Sequence, residues 1–224
     1  MKDLVVMVAD KNAQFALKGV LNRPEAMGTR RIQFEFRVHP GRDGGVRKSG
    51  PEMLALERSR FTHGLLVLDF EGSGTSLANA IDLEAELDAR LQPRWSDQAK
   101  AVVIEPEVDV WMWGSDNVLR DSFHWEGPRR IRDWLRDRGY QFNDGQKPER
   151  PKEALEAVLR HCKLPRSSAL YQEIASKVSL PRCVDPAFQR LRSRLAQWFP
   201  LECVLTMMDI RHQSEGRGNC PPAL

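Results

Sequence analysis

The chain has 224 residues, 41% hydrophobic and 29% charged, a balance that excludes a disordered protein and predicts one well-packed domain with room for a helical appendage. Its formal net charge of +3 conceals basic clusters such as GRDGGVRKSG, which predict either a solvated surface or contacts with phosphate. No apolar stretch is long enough to cross a bilayer, and the start lacks a signal-peptide cleavage site, so we expect a cytoplasmic protein without membrane contact.

The first 125 residues alternate between strand and helix patterns. Strands are predicted at LVVMVA, IQFEFRV, GLLVLDF and AKAVVIEPEVDVWMW, because these runs are apolar or alternate between apolar and polar residues. The stretch GRDGGVRKSG is rich in glycine and has no apolar periodicity, so we predict a loop there and a helix that starts at Pro51. Four strands alternating with helices predict an α/β fold, a Rossmann-like parallel sheet flanked by helices.

Beyond residue 125 the patterns are those of helices alone, separated by proline-rich joints. We therefore predict an α/β domain over residues 1–125 and a helical C-terminal region over residues 126–200 that packs on it. Residues 201–224 have few apolar anchors, which predicts a tail whose last part is disordered. The four cysteines form no C-x-x-C pair, so neither zinc nor a disulfide framework is indicated.

Acidic side chains follow three of the predicted strands. They are Asp10 after the first strand, Asp69 and Glu71 after the third, and Glu105, Glu107 and Asp109 at or past the end of the fourth. The carboxyl ends of parallel strands share one edge of the sheet, where ligands bind, so these carboxylates are expected to converge. Oxygen ligands of this kind suit Mg²⁺ or Mn²⁺, and a cation relieves their mutual repulsion. The alternative is that each acid caps a helix or turn, or pairs with an arginine.

Two further patterns each have a structural and a functional interpretation. Glycines in HPGRDGGVRKSG allow backbone N–H groups to approach a phosphate, and the basic side chains available for it are Arg42, Arg47 and Lys48. The alternative is a surface loop, since the stretch does not match a P-loop. Indole side chains of Trp111, Trp113 and Trp125 either stack on unpaired bases or fill the core.

Taken together, these patterns resemble the Toprim fold of topoisomerases, primases, recombination factors and several phage-defence nucleases. The residues that carry the likeness are VVMVADKNAQF, VLDFEGSG, PEVDVWMWGSD, YQEIASKV and PRCVDPAFQRL, between about residues 4 and 200. More closely, the chain resembles a poorly characterised bacterial Toprim-like family of phage-defence loci, which includes components of methylation-associated defence systems.

The resemblance implies a metal site and a reaction. Asp69 and Glu71 would hold Mg²⁺ or Mn²⁺, with Asp109, two residues before Trp111, as a further ligand. The reaction would be cleavage of a phosphodiester bond in DNA or RNA, with other defence-system proteins as partners.

The resemblance also implies an acidic group for proton transfer at the end of the first strand. Ala9 stands where the family has glutamate, and Asp10 is the next residue. A shift of one position turns a strand side chain to the opposite face, unless a turn restores its direction. Asp10 and Glu107 are therefore the candidate catalytic residues. The alternative is a non-catalytic scaffold, or a subunit that binds nucleic acid or a protein partner.

Overall fold

A computed structural model describes residues 1–144 and 146–201. Its centre is a sheet of four parallel strands in the order β2-β1-β3-β4, which confirms the predicted α/β class. The strands are β1 Lys2–Val8, β2 Phe34–Val38, β3 Phe61–Asp69 and β4 Ala99–Ile104. Residues 4–8 of β1 and 65–68 of β3 are wholly apolar because helices cover both faces of these central strands.

Helices form one layer on each side of the sheet. They are α1 Lys11–Leu21, α2 Pro24–Met27, α3 Arg42–Ala55, α4 Ala80–Trp95, α5 Asp116–Ser122, α6 Ile131–Arg136, α7 Pro151–His161, α8 Ser168–Lys177 and α9 Pro186–Trp198. Helices α3 and α4 cover one face of the sheet, and α1 shares the core on the other face with α5 to α9. The C-terminal helices are thus part of the main core.

Helix α8 lies directly against α1. At Gly19 of α1 a Cβ atom would lie 2.7 Å from the carbonyl oxygen of Gln172, so only glycine permits this close approach. The contact fixes the helical C-terminal region against the first crossover helix. Among the described residues no helix has both the length and the apolar character needed to cross a bilayer. Of the predicted tail 201–224, only Leu201 belongs to the described residues, so the expected disorder lies outside them.

The predicted loop GRDGGVRKSG is wrong, because it forms most of helix α3, in which Pro51 is an internal residue and not the start. The helix lacks an apolar stripe because glycines make much of its contact surface. A Cβ atom at Gly45 would lie 2.4 Å from His39 Nδ1, and one at Gly50 would lie 2.8 Å from Leu66 Cδ1. Close packing through glycine leaves no hydrophobic periodicity for sequence analysis to detect.

The predicted fourth strand is too long. Strand β4 ends at Ile104, and the segment Val108–Gly114 is a 3₁₀ helix. Pro106 lies between them and has no N–H to continue a strand ladder. Backbone bonds then join the ends of two strands: Phe70 N donates to Ile104 O at 2.8 Å, and Glu71 N donates to Pro106 O at 3.2 Å. These bonds bring the acidic ends of β3 and β4 together.

Candidate functional site

A cavity of about 450 Å³ opens at the carboxyl edge of the sheet. Six carboxylates and three cationic side chains line it: Asp10, Asp43, Asp69, Glu71, Glu107 and Asp109, with Arg42, Lys152 and Arg166. All of the acids named as catalytic or metal-binding candidates therefore reach one cavity. Glu105 is the exception among the strand-end acids, because its Oε2 accepts from Ala80 N at 3.4 Å, at the start of α4.

Asp10 reaches the cavity although Ala9 does not. Strand β1 ends at Val8, and Ala9 is buried in the core between the sheet and α3 and α4. Asp10 follows in an extended conformation and caps helix α1, where its Oδ1 accepts from Ala13 N at 2.9 Å. Because the strand has already ended, the alternation of its side chains no longer dictates where Asp10 points. One oxygen is engaged in capping, and the residue still lines the cavity.

Asp43 is the acid of the cavity that sequence analysis missed. Its Oδ1 accepts from Asp69 N at 2.8 Å, so helix α3 is tied to the end of β3. The carboxylate also lies against Gly72, where a Cβ atom would be 2.6 Å from Asp43 Oδ2. In the sequence Asp43 is a single acid within a glycine-rich stretch. Its place in the cavity can be predicted only when that stretch is known to form a helix that crosses the edge of the sheet.

Asp69 occupies the centre of the acidic side. Its Oδ1 accepts from Val108 N at 2.9 Å. Burial, followed by the negative charges of Asp43, Asp109 and Glu107, raises the pKa of Asp69 well above its ordinary value. Burial together with the charge of Asp10 likewise raises the pKa of Asp43, against a hydrogen bond from the backbone.

Glu107 and Asp109 differ from the other acids because each has a cationic partner. Asp109 is 2% exposed and accepts two hydrogen bonds from Arg166 Nη2, at 3.0 and 3.2 Å, and one from Tyr171 Oη at 2.5 Å. Glu107 lies 3.8 Å from Lys152 Nζ and accepts from Lys152 N at 3.3 Å. Burial, then the charge of Asp109, raises the pKa of Glu107 to about 7.

The remaining acid, Glu71, is exposed at the mouth of the cavity in a 3₁₀ turn, Glu71–Ser73. Within the described residues, none of Asp10, Asp43, Asp69 and Glu71 forms an ion pair, whereas both Glu107 and Asp109 do. In the described part of the chain, no three His, Cys, Asp or Glu side chains are already arranged to hold a metal ion. The four unpaired acids share a cavity but are not drawn into one coordination sphere.

The three predicted phosphate-binding residues all lie on helix α3, but only one of them lines the cavity. Arg42 lines the cavity with φ of 52°, a left-handed conformation that is costly for arginine. Arg47 donates to the carbonyl oxygens of Ser73 and Gly74, at 2.8 and 3.1 Å, and so supports the turn after β3. Lys48 is exposed and is not among the residues that line the cavity.

The three tryptophans fill the core and do not present free rings to bases. They are 5%, 1% and 7% exposed at Trp111, Trp113 and Trp125. Their N–H groups are bound within the protein, to Asp185 Oδ1 and to the carbonyl oxygens of Pro151 and Arg129. The core interpretation of these residues is therefore the one that the structure bears out.

Comparison with protein-family models, with curated proteins and with solved structures found no match to this chain. The functional interpretation thus depends on the chemistry of the cavity itself.

Proposed function

We propose that the acidic cavity binds Mg²⁺ or Mn²⁺ together with a phosphate group of DNA or RNA, and that the chain cleaves a phosphodiester bond. The observation that carries the proposal is the group of four carboxylates without an ion-pair partner among the described residues: Asp10, Asp43, Asp69 and Glu71. Like charges gathered in one cavity repel unless a cation lies between them, and hard oxygen donors favour these two metals.

The donor set fits such a cation best on the side of β3. Asp43 and Asp69 come from different elements and are linked through the Asp69 N–H, and Glu71 follows in the adjacent turn. Mg²⁺ commonly keeps several waters and uses only one or two protein carboxylates, so two of these three donors would suffice. Asp109, named from sequence as a ligand, is a weaker candidate because Arg166 and Tyr171 already occupy its oxygens.

The bound metal would supply an activated water and neutralise charge on the phosphate. The chain contributes a proton acceptor and cationic groups. Glu107, with a pKa of about 7, is matched to proton transfer near neutral pH, which is what efficient general acid–base catalysis requires. Arg42 and Lys152 are both exposed at the cavity and would hold a phosphate near that carboxylate.

Asp69→Asn tests the proposal, because it removes the central charge and keeps an oxygen that can accept from Val108 N. Calorimetry with Mn²⁺ should show at least about a tenfold loss of affinity, equivalent to 1.4 kcal/mol. Metal-dependent cleavage of single- and double-stranded DNA and RNA should disappear. The matched control is Asp97→Asn, an exposed acid outside the cavity, which should bind Mn²⁺ as the wild type does. Equal Mn²⁺ binding by Asp69→Asn would exclude the metal site.

A second candidate function is that of a non-catalytic subunit that binds nucleic acid or a protein partner. It is favoured because three of the acids already have partners within the protein: Asp10 caps a helix, and Glu107 and Asp109 pair with cations. The likeness of VLDFEGSG and PEVDVWMWGSD to a Toprim-like family of phage-defence loci supports a place in such a system under either candidate. Salt-dependent DNA binding without turnover, retained in Asp69→Asn, is the outcome that favours the second candidate.

A further inference from the structure

A second, smaller cavity of about 230 Å³ lies between the Val108–Gly114 segment and helices α8 and α9. Its walls include the aromatic side chains of Trp111, Trp113 and Phe188. Among the described residues no acid lines it, whereas Arg132, Lys147 and Arg182 do. None of the described residues lines both cavities, so this one is chemically and physically separate from the acidic cavity.

Lys147 is the unusual group of this cavity. The residue is 8% exposed, and its buried ammonium has no hydrogen-bond partner among the described residues. It forms an ion pair with Asp185, whose Oδ2 lies 3.6 Å from the ammonium, too far for a hydrogen bond. The other oxygen of Asp185 already accepts from Trp111 Nε1 at 2.9 Å and from Phe188 N at 3.0 Å. An ammonium carries three donors, and burying them unmet is costly, so an additional acceptor is expected at this position.

The other two cations of the cavity differ in how far they are engaged. Arg132 donates to Trp113 O at 2.6 Å and to Gln146 O at 2.8 Å, and it also pairs with Asp116, so its role is to hold the wall together. Arg182 is exposed and forms no ion pair with the described residues. A ligand anion that reached Lys147 would therefore meet a cavity with a positive interior and a positive mouth.

We propose that this cavity binds a small monocarboxylate with a single apolar ring. The carboxylate would accept hydrogen bonds from Lys147 and complete its coordination, while the ring would lie among Trp111, Trp113 and Phe188. The volume is below the roughly 300–1,000 Å³ of drug-sized ligand pockets, which sets the limit of one ring. One charged group per ligand is expected, because Lys147 is the one deeply buried cation of the cavity without a hydrogen bond among the described residues.

The test compares benzoate with benzamide, which has nearly the same shape and no charge, by saturation-transfer NMR and calorimetry on the full chain. Wild type should bind benzoate at least about tenfold more tightly than benzamide, a difference of 1.4 kcal/mol. Lys147→Met should bind the two equally, because the charge that distinguishes them is gone. Because Lys147→Met also deprives the buried carboxylate of Asp185 of its cation at 3.6 Å, urea unfolding must first show that the variant is folded, and a second variant tests the proposal independently.

Val184→Trp provides the test of location, since Val184 is 72% exposed and lines the cavity. A large ring there should obstruct the mouth without disturbing the core, and binding of both compounds should be lost. The proposal is wrong if wild type binds neither compound, or binds both with the same affinity. It is also wrong if Lys147→Met keeps the preference for benzoate. None of these outcomes depends on metal binding at the acidic cavity, so each proposal can fail alone.

Discussion

Asp109 is buried and Asp69 is half-buried in the same cavity, yet the protein treats their charges in opposite ways. Asp109 receives hydrogen bonds from Arg166 and Tyr171, whereas Asp69 has a backbone N–H donor and acidic neighbours. The Asp109 side is therefore complete as a structural ion-pair network. The acids of the Asp69 side have no ion-pair partner among the described residues. Burial of an acid alone does not identify a functional site, and the lack of an ion-pair partner is what distinguishes this side from the Asp109 side.

The largest effect is expected when the ion-pair network of Asp109 is broken. Arg166→Met leaves the carboxylate of Asp109, 2% exposed, without its cation, and should lower the free energy of unfolding by about 3–5 kcal/mol. Urea unfolding at pH 7 measures this change. The control is Arg160→Met, because in the described part of the chain Arg160 forms only an exposed pair with Glu156 at 3.8 Å, and its loss should cost less than about 1 kcal/mol. Similar small losses in both variants would show that the Asp109 network is not needed for stability.

A smaller, pH-dependent effect is expected at Glu107, which lies between the two sides. The folded pKa of about 7 exceeds the ordinary 4.5, so the folded state binds more protons within that interval and stability falls as pH rises through it. Glu107→Gln removes this dependence and should be more stable than wild type by roughly 2 kcal/mol at pH 8, with little difference at pH 4.5. Urea unfolding of both proteins across this range measures the slope. A constant difference at every pH would contradict the raised pKa.

The sequence predicted the sheet because its strands are long apolar runs, and it predicted the edge because acids follow those runs directly. Sequence alone thus places Asp10, Asp69 and Glu107 at this edge and predicts the fold class. Asp43 was not predicted there, because helix α3 packs through glycines and shows no periodicity. Local pattern is a reliable guide only where burial is made by apolar side chains.

Ion pairs between residues that are far apart in the sequence could not be predicted either. Arg166 is 57 residues from Asp109, and nothing in either stretch indicates that the two side chains meet. The ion pairs decide which acids remain available for a metal, so the sequence could name the candidate ligands but not rank them. The same holds for Lys147, whose burial beside Asp185 depends on how the C-terminal helices pack.

Gly72→Ala should weaken the Asp69 side without removing an acid. The new Cβ would lie 2.6 Å from Asp43 Oδ2 and displace that carboxylate. We expect Mn²⁺ affinity to fall about tenfold, equivalent to 1.4 kcal/mol, as calorimetry would show. Overpacking should cost about 1 kcal/mol of stability. Gly44→Ala is the matched control, because its Cβ would make only ordinary contacts of 3.7 and 3.8 Å. Equal metal affinity in the two variants would remove Asp43 from the proposed ligands.

The smallest effect is expected at Arg42, where function and local strain can be separated. Its φ of 52° suits asparagine better than arginine, so Arg42→Asn should keep or slightly raise stability. If Arg42 contacts a phosphate, the variant should bind DNA more weakly at every sequence, and the salt dependence should lose about one unit of slope. Lys163→Asn is the control, since Lys163 is exposed with φ of 56° and lies outside the cavity. Binding titrations at several salt concentrations measure both slopes. An equal loss of slope in the two variants would mean that Arg42 contributes only general positive charge.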